Sequence, residues 1–258
     1  MKLNDILFEQ DLFDQYKDKV SDAIKVSNVL SLWRGASDAG PVRLMDPTKF
    51  SKPRESQTGV NFLLEWTAND PLWKKFPART RSVITATDHD TAEQFGTAYK
   101  VLPFNGAKIV ICPVEDFNNP GSFPAMESMV DPFDSHLFLA EYLTDFFMHL
   151  AMRLGAVAKT YPMQVQLLHE LDKLDPDDHQ TLRDLDMGPV DELVNILLYQ
   201  KKIHNTGAYN IFANLLSPKA NNYELVGIQQ AGKIDYNTSH EVWTDSPCLL
   251  INEDEISI

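Results

Sequence analysis

The spacing of apolar residues changes twice along the chain and divides it into three regions. Up to about residue 115, and again after residue 224, short apolar runs rich in β-branched residues predict strands. Between them, from about 135 to 205, apolar residues recur every three or four positions, which predicts helices. We therefore predict an α+β fold with one mainly antiparallel β-sheet and a helical insertion at about residues 135–205. The chain of 258 residues is predicted to form one domain, residues 1–258.

The N-terminal region predicts three elements and a helix start. Apolar positions at helical spacing predict an amphipathic helix from about Asp5 to Ser27, and the next apolar run predicts a strand from Asn28 to Arg34. A second strand is predicted from Arg79 to Thr87. After it, Asp90 and Glu93 have the spacing of a helix-capping box, with an acid in place of the usual hydroxyl.

Further strands are predicted on both sides of the helical region. The pair Asn105-Gly106 separates two apolar runs, Tyr99–Phe104 and Ala107–Val114, which is a strong signal for a β-hairpin. After the helical region, four more strands are predicted, from Glu224 to Ile228, Lys233 to Asn237, His240 to Trp243 and Cys248 to Ile251.

Composition adds to this picture mainly by exclusion. The formal net charge is −14 and no basic run is interleaved with aromatics, so we do not expect a nucleic-acid-binding protein. Cys112 and Cys248 are too few for a structural zinc site and lie in apolar runs, so we expect buried, reduced thiols. The acidic N-terminus lacks a signal-peptide core, and no apolar run approaches the ~20 residues that cross a bilayer. We therefore predict a cytoplasmic protein without a membrane partner.

Candidate chemistry begins with Arg34, at the predicted end of a strand and directly before Gly35. A guanidinium there can hold a diphosphate through paired hydrogen bonds; alternatively, it is a surface arginine beside a turn. Thr85 and Thr87 flank a single residue, so their side chains point to the same face of their strand. Their hydroxyls can orient a ribose or a carboxamide, although threonine is also a common strand residue.

Glu241 is a charged residue in an otherwise apolar strand end near the C-terminus. A carboxylate at such a position can hydrogen-bond a ribose hydroxyl and stabilise an oxocarbenium-like transition state. The alternative is a charge that protects an edge strand from pairing with other chains. We expect no metal site at Asp88-His89-Asp90, because neighbouring strand residues face opposite ways.

Taken together, these residues resemble the ADP-ribosyltransferase superfamily, whose sites combine an arginine, a serine or threonine, and a glutamate. Leu32-Trp33-Arg34-Gly35 is similar to the arginine strand of that family, and Thr85-Ala86-Thr87 to its Ser-Thr-Ser strand. The segment from Asp88 to Pro103 is similar to the run that follows in putative phage and bacterial members, and Ser239-His240-Glu241-Val242 to the terminal glutamate strand. The resemblance covers about residues 28–115 and 224–251.

The resemblance implies a split, mainly antiparallel β-sheet with NAD bound in its cleft. It also implies a NAD-dependent mono-ADP-ribosyltransferase, which transfers ADP-ribose from NAD to a macromolecular acceptor, a host or partner protein. Glu241 would be the catalytic glutamate, Arg34 would hold the NAD phosphates and Thr85 would orient the nicotinamide ribose. If the protein is phage-encoded, it would act in the host cytoplasm. The implied catalytic residues are Glu241, Arg34 and Thr85, and the implied NAD-binding residues are Arg34, Gly35, Thr85, Thr87, Phe95 and Tyr99.

One position departs from the pattern of arginine-modifying members, which carry an acid two residues before the catalytic glutamate. Here that position is Ser239. The departure leaves two alternatives open. One is a catalytically inactive interaction protein on the same fold, which binds a partner through the acidic helical region. The other is a NAD glycohydrolase, in which water takes the place of the acceptor.

Overall fold

The computed structural model describes residues 12–37, 40–53, 62–119, 121–129, 139–154, 160–174, 191–232 and 238–252. It confirms an α+β architecture, in which helices accompany an eight-stranded sheet whose strand pairs are all antiparallel. The chain divides into two compact units: the first comprises residues 1–54, 76–117 and 223–258, and the second residues 55–75 and 118–222. The second unit therefore includes more of the sequence than the helical insertion that we predicted at 135–205.

The sheet lies entirely in the first unit and brings distant parts of the chain together. Its spatial order is β2-β8-β4-β1-β3-β7-β5-β6. Strand β8 and strand β7 are buried along their whole length, which explains why their sequences are nearly continuous apolar runs. The strands are β1 (Trp33–Ala36), β2 (Val42–Met45), β3 (Val83–Ala86), β4 (Thr97–Pro103), β5 (Lys108–Ile111), β6 (Glu224–Gly227), β7 (Glu241–Thr244) and β8 (Cys248–Ile251).

The sheet splits between β1 and β3. Within the described residues, these two strands share one register pair, Trp33 with Ala86, whereas β1 pairs with β4 over four positions and β3 with β7 over four. Two half-sheets, β2-β8-β4-β1 and β3-β7-β5-β6, therefore meet at a single point. The structure thus shows one antiparallel sheet that is narrowest between β1 and β3, and the predicted split form of the sheet stays a prediction.

Nine helices lie wholly within the described residues, and residues 12–16 are helical as well. Three belong to the first unit: α1 (Ser21–Val26), α3 (His89–Glu93) and α9 (Ile228–Ala231). Six belong to the second: α2 (Phe62–Asn69), α4 (Pro124–Glu127), α5 (Leu139–Arg153), α6 (Tyr161–Leu171), α7 (Asp191–His204) and α8 (Ala208–Leu215). Short 3-10 turns occur at Lys17–Val20, Pro47–Lys49, Pro71–Trp73 and Arg79–Arg81.

The core of the first unit lies between the half-sheets and the helices of that unit. It is built from aliphatic residues of the strands together with Tyr99, Cys248 and residues of α1 and α9. The second unit has its own aromatic core, in which the ring of Phe62 stacks on Phe147 at 4.8 Å and Trp66 meets Phe212 edge-on at 4.9 Å. No helix among the described residues combines the length and the apolarity that a bilayer crossing requires.

Two predicted strand starts are wrong because the chain turns before the strand begins. The segment predicted as a strand from Asn28 continues the turn of α1, since the backbone N–H groups of Val29 and Leu30 both donate to Val26 O, and β1 starts only at Trp33. Likewise, Arg79–Arg81 forms a 3-10 turn in place of the predicted strand start. Ser82 Oγ closes that turn by donating to Ala78 O at 2.8 Å.

The predicted hairpin at Asn105-Gly106 is also wrong, although the turn itself is present. Ala107 N donates to Phe104 O at 3.0 Å, but β4 and β5 belong to different half-sheets and do not pair. Asn105 instead ties the turn to the N-terminal helices: its Oδ1 accepts from Asp22 N at 2.9 Å and its Nδ2 donates to Asp18 O at 2.7 Å. These bonds direct the chain away from β4, so the turn connects a strand of one half-sheet to a strand of the other.

Two other predictions on local structure have a mixed outcome. Helix α3 is present and ends before Gly96, whose φ of +124° suits glycine, but its capping residue is Asp88 and not Asp90. The predicted strand at Lys233–Asn237 and the start of the predicted N-terminal helix lie outside the described residues. Cys112 and Cys248 are buried and form no disulfide, as expected.

Candidate functional site

Arg34, Thr85 and Glu241 lie on three neighbouring strands. Arg34 is in β1, Thr85 in β3 and Glu241 opens β7, and the sheet order places these strands side by side as β1-β3-β7. The split in the sheet runs between the first two of them. Residues separated by about 50 and 150 positions in sequence are thus brought to one region of the first unit.

The register divides the candidate residues between the two faces of the sheet. Trp33 pairs with Ala86, and Ala86 pairs with Glu241, so these three share one face. Thr85 pairs with Val242, and the alternation of side chains puts Thr85, with Arg34 in the neighbouring strand, on the other face. Glu241 is therefore not on the face that carries the arginine and the threonine.

Arg34 lies in the split between the half-sheets. Thr87 N donates to His240 O, so the backbone N–H and C=O groups of residue 87 point toward β7, and those of Thr85 do the same. Because alternate residues of a strand direct these groups to opposite sides, the carbonyl of Ile84 points toward β1. Arg34 Nη1 donates to that carbonyl at 2.6 Å. The guanidinium thus satisfies a backbone acceptor at the place where the regular pairing of β1 with β3 is lost.

The two threonines of β3 are tied to β7. Thr85 is buried, and its hydroxyl donates to Val242 O at 2.9 Å. Thr87, just beyond β3, is half-buried, and its Oγ1 accepts from the backbone N–H of His240 at 2.9 Å. Each hydroxyl oxygen still has acceptor capacity, because a hydroxyl offers one donor and two lone pairs.

Glu241 forms a buried ion pair with Arg79. Arg79 Nε donates to Oε1 at 2.6 Å and Nη2 to Oε2 at 2.9 Å, while Phe117 N donates to Oε2 at 3.2 Å. The side chains of Arg79 and Glu241 are only 12% and 7% exposed. Burial disfavours the charged guanidinium, but the attraction and hydrogen bonds of Glu241 outweigh it and raise the pKa of Arg79.

Arg79 is a residue that sequence reasoning missed. It was assigned to a strand, where its side chain would have no defined partner, and its pairing with Glu241 spans 162 positions. One signal was available: a glutamate inside an apolar strand needs a cation or a set of N–H donors, because an unpaired buried charge is strongly unfavourable. The guanidinium also lies over the ring of Phe117, 4.9 Å from its centroid.

The remaining predicted NAD-binding residues differ in accessibility. Phe95 is 66% exposed, whereas Tyr99 is fully buried in the core, so the structure removes Tyr99 from the residues able to contact a ligand. Gly35 lies directly under α3: a Cβ at this position would be 2.1 Å from Ala92 O and 2.7 Å from the Cβ of Phe95. The need for glycine here comes from the approach of α3 to β1.

His240 is a further residue that the structure brings to the Arg34–Thr85 face. Because it is paired with Thr87 through two backbone-directed bonds, it shares a face with that residue. Its ring is held between Cys112 O, 2.8 Å from Nδ1, and Thr238 Oγ1, 3.2 Å from Nε2. Next to it, Ser239 has a buried Oγ that finds no hydrogen-bond partner among the described residues.

Two other groups of polar residues have structural explanations. Cys112 Sγ lies 3.6 Å from Tyr223 Oη, and burial raises the pKa of Cys112 to about 12. His89, Asp90 and Glu93 place their ligand atoms within 4.8 Å of one another, but all three are exposed side chains on the five-residue helix α3. Asp88 does not join them, since it caps that helix.

Comparison of the chain with protein-family models, with curated proteins and with solved structures finds no match.

Proposed function

We propose that the protein is a NAD-dependent mono-ADP-ribosyltransferase that transfers ADP-ribose to a protein acceptor. The observation that carries the proposal is the adjacency of the arginine strand β1, the hydroxyl strand β3 and the glutamate strand β7. Within the described residues, β1 and β3 share a single register pair, so the regular backbone pairing between the arginine strand and the hydroxyl strand is short. This combination of residue types suits an anionic ligand that contains a sugar.

The roles of the residues follow from their chemistry. The planar guanidinium of Arg34 suits paired phosphate oxygens of NAD. Thr85 and Thr87 accept hydrogen bonds from the ribose or the carboxamide. Thr85 donates its hydroxyl hydrogen to Val242 O and Thr87 accepts one bond from His240 N, so each hydroxyl oxygen keeps a lone pair for the ligand. Exposed Phe95, beside Gly35, offers an aromatic surface for the nicotinamide.

Glu241 stabilises positive charge on the ribose as the bond to nicotinamide breaks and its electron pair leaves with nicotinamide. A carboxylate has about four lone-pair positions. In the described residues, Arg79 and the backbone of Phe117 supply three N–H bonds to it. A ribose hydroxyl then takes the remaining position on Oε1, or displaces the N–H of Phe117.

A second candidate function is a catalytically inactive interaction protein on the same fold. Two observations favour it. Glu241 lies on the face of the sheet opposite Arg34 and Thr85, so a ribose bound at Thr85 on that face would not reach the carboxylate. The carboxylate is also already neutralised by the buried guanidinium of Arg79, and it therefore stabilises new positive charge poorly. A NAD glycohydrolase remains the third alternative, distinguished by its products alone.

The decisive experiment incubates the protein with NAD labelled in the adenosine part and a host lysate, and measures NAD binding by calorimetry. We expect labelled protein bands, and a midpoint of thermal unfolding that rises with NAD concentration. At 100 times the Kd, bound NAD adds about 2.7 kcal/mol to the free energy of unfolding. Absence of both label and binding would refute the proposal in favour of the inactive protein. Release of nicotinamide without labelled protein would instead identify a hydrolase.

Variants then test the roles, each against a matched substitution outside the site. Arg34→Lys is expected to weaken NAD binding at least tenfold, because lysine lacks the bidentate fork, whereas Arg43→Lys on β2 is expected to bind as the wild type does. Glu241→Gln is expected to abolish transfer, whereas Arg79→Lys, which perturbs the same ion pair but keeps the carboxylate, is expected to retain part of it. Equal losses in the last two variants would assign Glu241 a structural role.

A further inference from the structure

We propose that the Glu241 face of the sheet holds the reacting end of NAD, with the nicotinamide ring stacked on Trp33 and its ribose over Ala86. This inference rests on the proposed function and revises one contact in it, because the ribose then lies beside the carboxylate and not beside Thr85. It is carried by the strand register and by the surroundings of the Trp33 ring.

Four residues form a row across the sheet on the Glu241 face. Trp33 pairs with Lys100 on one side and with Ala86 on the other. Ala86 pairs in turn with Glu241. Directly paired residues of antiparallel strands direct their side chains to the same face. Since neighbouring strands lie about 4.8 Å apart, the backbones of Trp33 and Glu241 are about 10 Å apart, with one strand between them.

Ala86 makes this row lowest between Trp33 and Glu241. Its side chain is a single methyl group, whereas the indole on one side and the carboxylate on the other extend further from the sheet. A ribose above Ala86 therefore has the carboxylate at one edge and the indole at the other. The bond from ribose C1′ to the nicotinamide nitrogen then runs along the row, toward Trp33.

Trp33 is partly accessible and already has a cation at its ring. The residue is half-buried. Lys100 Nζ lies over the indole, 5.8 Å from the ring centroid. Indole is the aromatic side chain that attracts cations most strongly. The pyridinium ring of NAD is also a cation, and because it is planar it adds stacking area to the electrostatic attraction.

The indole is held from the side of α3. The ring of His89 meets it nearly at right angles, at 84°, with the two centroids 4.7 Å apart. Phe95, directly after α3, lies against Gly35, which is two residues further along β1 than Trp33 and on the same face. Phe95 is exposed. Two aromatic side chains are thus available on the Glu241 face, next to each other along β1.

The positive charge of the ligand moves along the row during the reaction. In bound NAD the charge is on the pyridinium ring, next to Trp33. When the bond from C1′ to nitrogen breaks, its electron pair leaves with nicotinamide, which becomes neutral, and positive charge develops on the ribose beside Glu241. The acceptor atom then bonds to C1′ and releases its proton to water. The neutral ring has lost its cation–π attraction to the indole, which favours the release of nicotinamide.

The test compares the affinities of NAD and NADH by calorimetry, since the reduced ring has nearly the same size but no positive charge. The wild-type protein is expected to bind NAD about two- to fivefold more tightly than NADH, the range of a cation–π contact at an accessible ring. Trp33→Leu is expected to bind NAD more weakly and to lose this preference. Trp33→Phe, which keeps an aromatic face, is expected to retain part of both.

Fluorescence provides a measurement that does not depend on the folding of Trp33→Leu. A pyridinium ring stacked on an indole quenches its emission. NAD is therefore expected to quench the wild-type protein, and to quench Trp33→Phe less, with NADH as the uncharged comparison. Equal quenching of the two proteins would show that NAD does not stack on Trp33.

Lys100→Met tests the charge of the group that lies at Trp33. This variant is expected to bind NAD at least as tightly as the wild type, because a competing cation is removed from the indole. Lys25→Met, at an exposed position of α1, is the matched control and is expected to bind as the wild type does. Weaker binding by Lys100→Met alone would place a phosphate at this end of the row and overturn the assignment of nicotinamide.

Two further results would overturn the inference and leave the proposed function standing. One is a folded Trp33→Leu that binds NAD, and prefers it to NADH, as the wild type does. The other is a loss of NAD binding in Thr85→Val with Trp33→Leu unaffected, which would put the ring on the opposite face. A wild-type protein that neither binds NAD nor labels protein would overturn both the inference and the proposed function.

Discussion

Glu241 carries its charge at a position that the sheet buries almost completely. Removing a carboxylate from water costs several kcal/mol unless partners replace the solvent. Here Arg79 and the backbone N–H of Phe117 do so, and Arg79 is in turn held over the ring of Phe117. The stability of the pair therefore depends on both members being present, whatever part Glu241 takes in chemistry.

We predict that Glu241→Gln lowers the free energy of unfolding by about 3–5 kcal/mol, because it leaves the buried guanidinium without a counter-charge. Urea denaturation followed by circular dichroism measures the change. Glu224→Gln, the same substitution at an exposed position of β6, is expected to stay within about 0.5 kcal/mol of the wild type.

The double variant Arg79→Met with Glu241→Leu provides the converse measurement. Replacing both charges by apolar groups of similar size is often neutral, so this protein is expected to be more stable than Glu241→Gln alone. A double variant less stable than the single one would show that the pair contributes net stability to the fold.

Gly35 is the second residue whose role depends on its surroundings. We predict that Gly35→Ala destabilises the protein by about 1–3 kcal/mol or more, because the added Cβ would collide with the backbone of Ala92 and push α3 from β1. Thermal denaturation measures the loss. Gly227→Ala is the matched control, since no atom lies within 4 Å of a Cβ added there.

The sequence singled out Arg34, Thr85 and Glu241 by residue type, and the structure brings their strands together. It could not indicate which face each side chain takes, because the face of Glu241 is set by the register of β3 with β7, between segments about 150 residues apart. Nor could the sequence pair Glu241 with Arg79, because it does not show which of the many cationic side chains lies near a given carboxylate.

At the scale of elements, α3 shows how one residue decides where a helix begins. Asp88 and Asp90 are both acids at plausible capping positions, and only Asp88 accepts from Thr91 N and Thr91 Oγ1, each at 2.8 Å. Asp90 remains 92% exposed. The side chain that reaches back over the first turn, and not the more favourable sequence spacing, defines the cap.

We predict that Asp88→Ala costs about 0.5–2 kcal/mol of stability at neutral pH, whereas Asp90→Ala has little effect. The hydrogen bonds from Thr91 N–H, and then from its hydroxyl, lower the pKa of Asp88. A carboxylate with a lowered pKa stabilises the fold above its unfolded pKa, near 3.9, and this contribution is lost as pH falls through its folded pKa. Urea denaturation of both variants from neutral pH to about pH 3 should therefore show the difference from wild type shrinking for Asp88→Ala alone.

The Asn105-Gly106 turn marks the limit of reading elements from sequence. The dipeptide correctly predicts a turn, because Gly106 adopts a φ of +75° that suits glycine. Whether the flanking strands then pair is a tertiary question. Here the amide of Asn105 bonds to backbone atoms beside α1, and β4 and β5 find partners in β8 and β7.

At the scale of the whole molecule, the reactivity of the two thiols measures whether the first unit is folded. Cys112 lies at the end of β5 and Cys248 begins β8, so each half-sheet contains one of them, and burial raises the pKa of both. Buried thiols with raised pKa values supply almost no thiolate, the form that reacts with disulfide reagents.

We predict that neither thiol reacts with a disulfide reagent at about pH 8 until the first unit unfolds, and that both then react together. Labelling across a urea series, followed by mass spectrometry of the two peptides, measures this. Ser51→Cys, at an exposed position, supplies a thiol that should react at once. Reaction of one native thiol well before the other would show that the half-sheets unfold separately.

The sequence was enough to predict the α+β class of the fold, the helices within 139–153, 161–171 and 191–204, the burial of both cysteines and the residue types of the candidate site. These depend on local periodicity and on hydrophobicity, which each segment carries regardless of its partners. Tertiary structure alone decided the strand order, the split between β1 and β3, the ion pair of Arg79 with Glu241 and the place of His240 on the face of Arg34. Each of these depends on register and on contacts between distant segments, and such contacts exist only once the chain has folded.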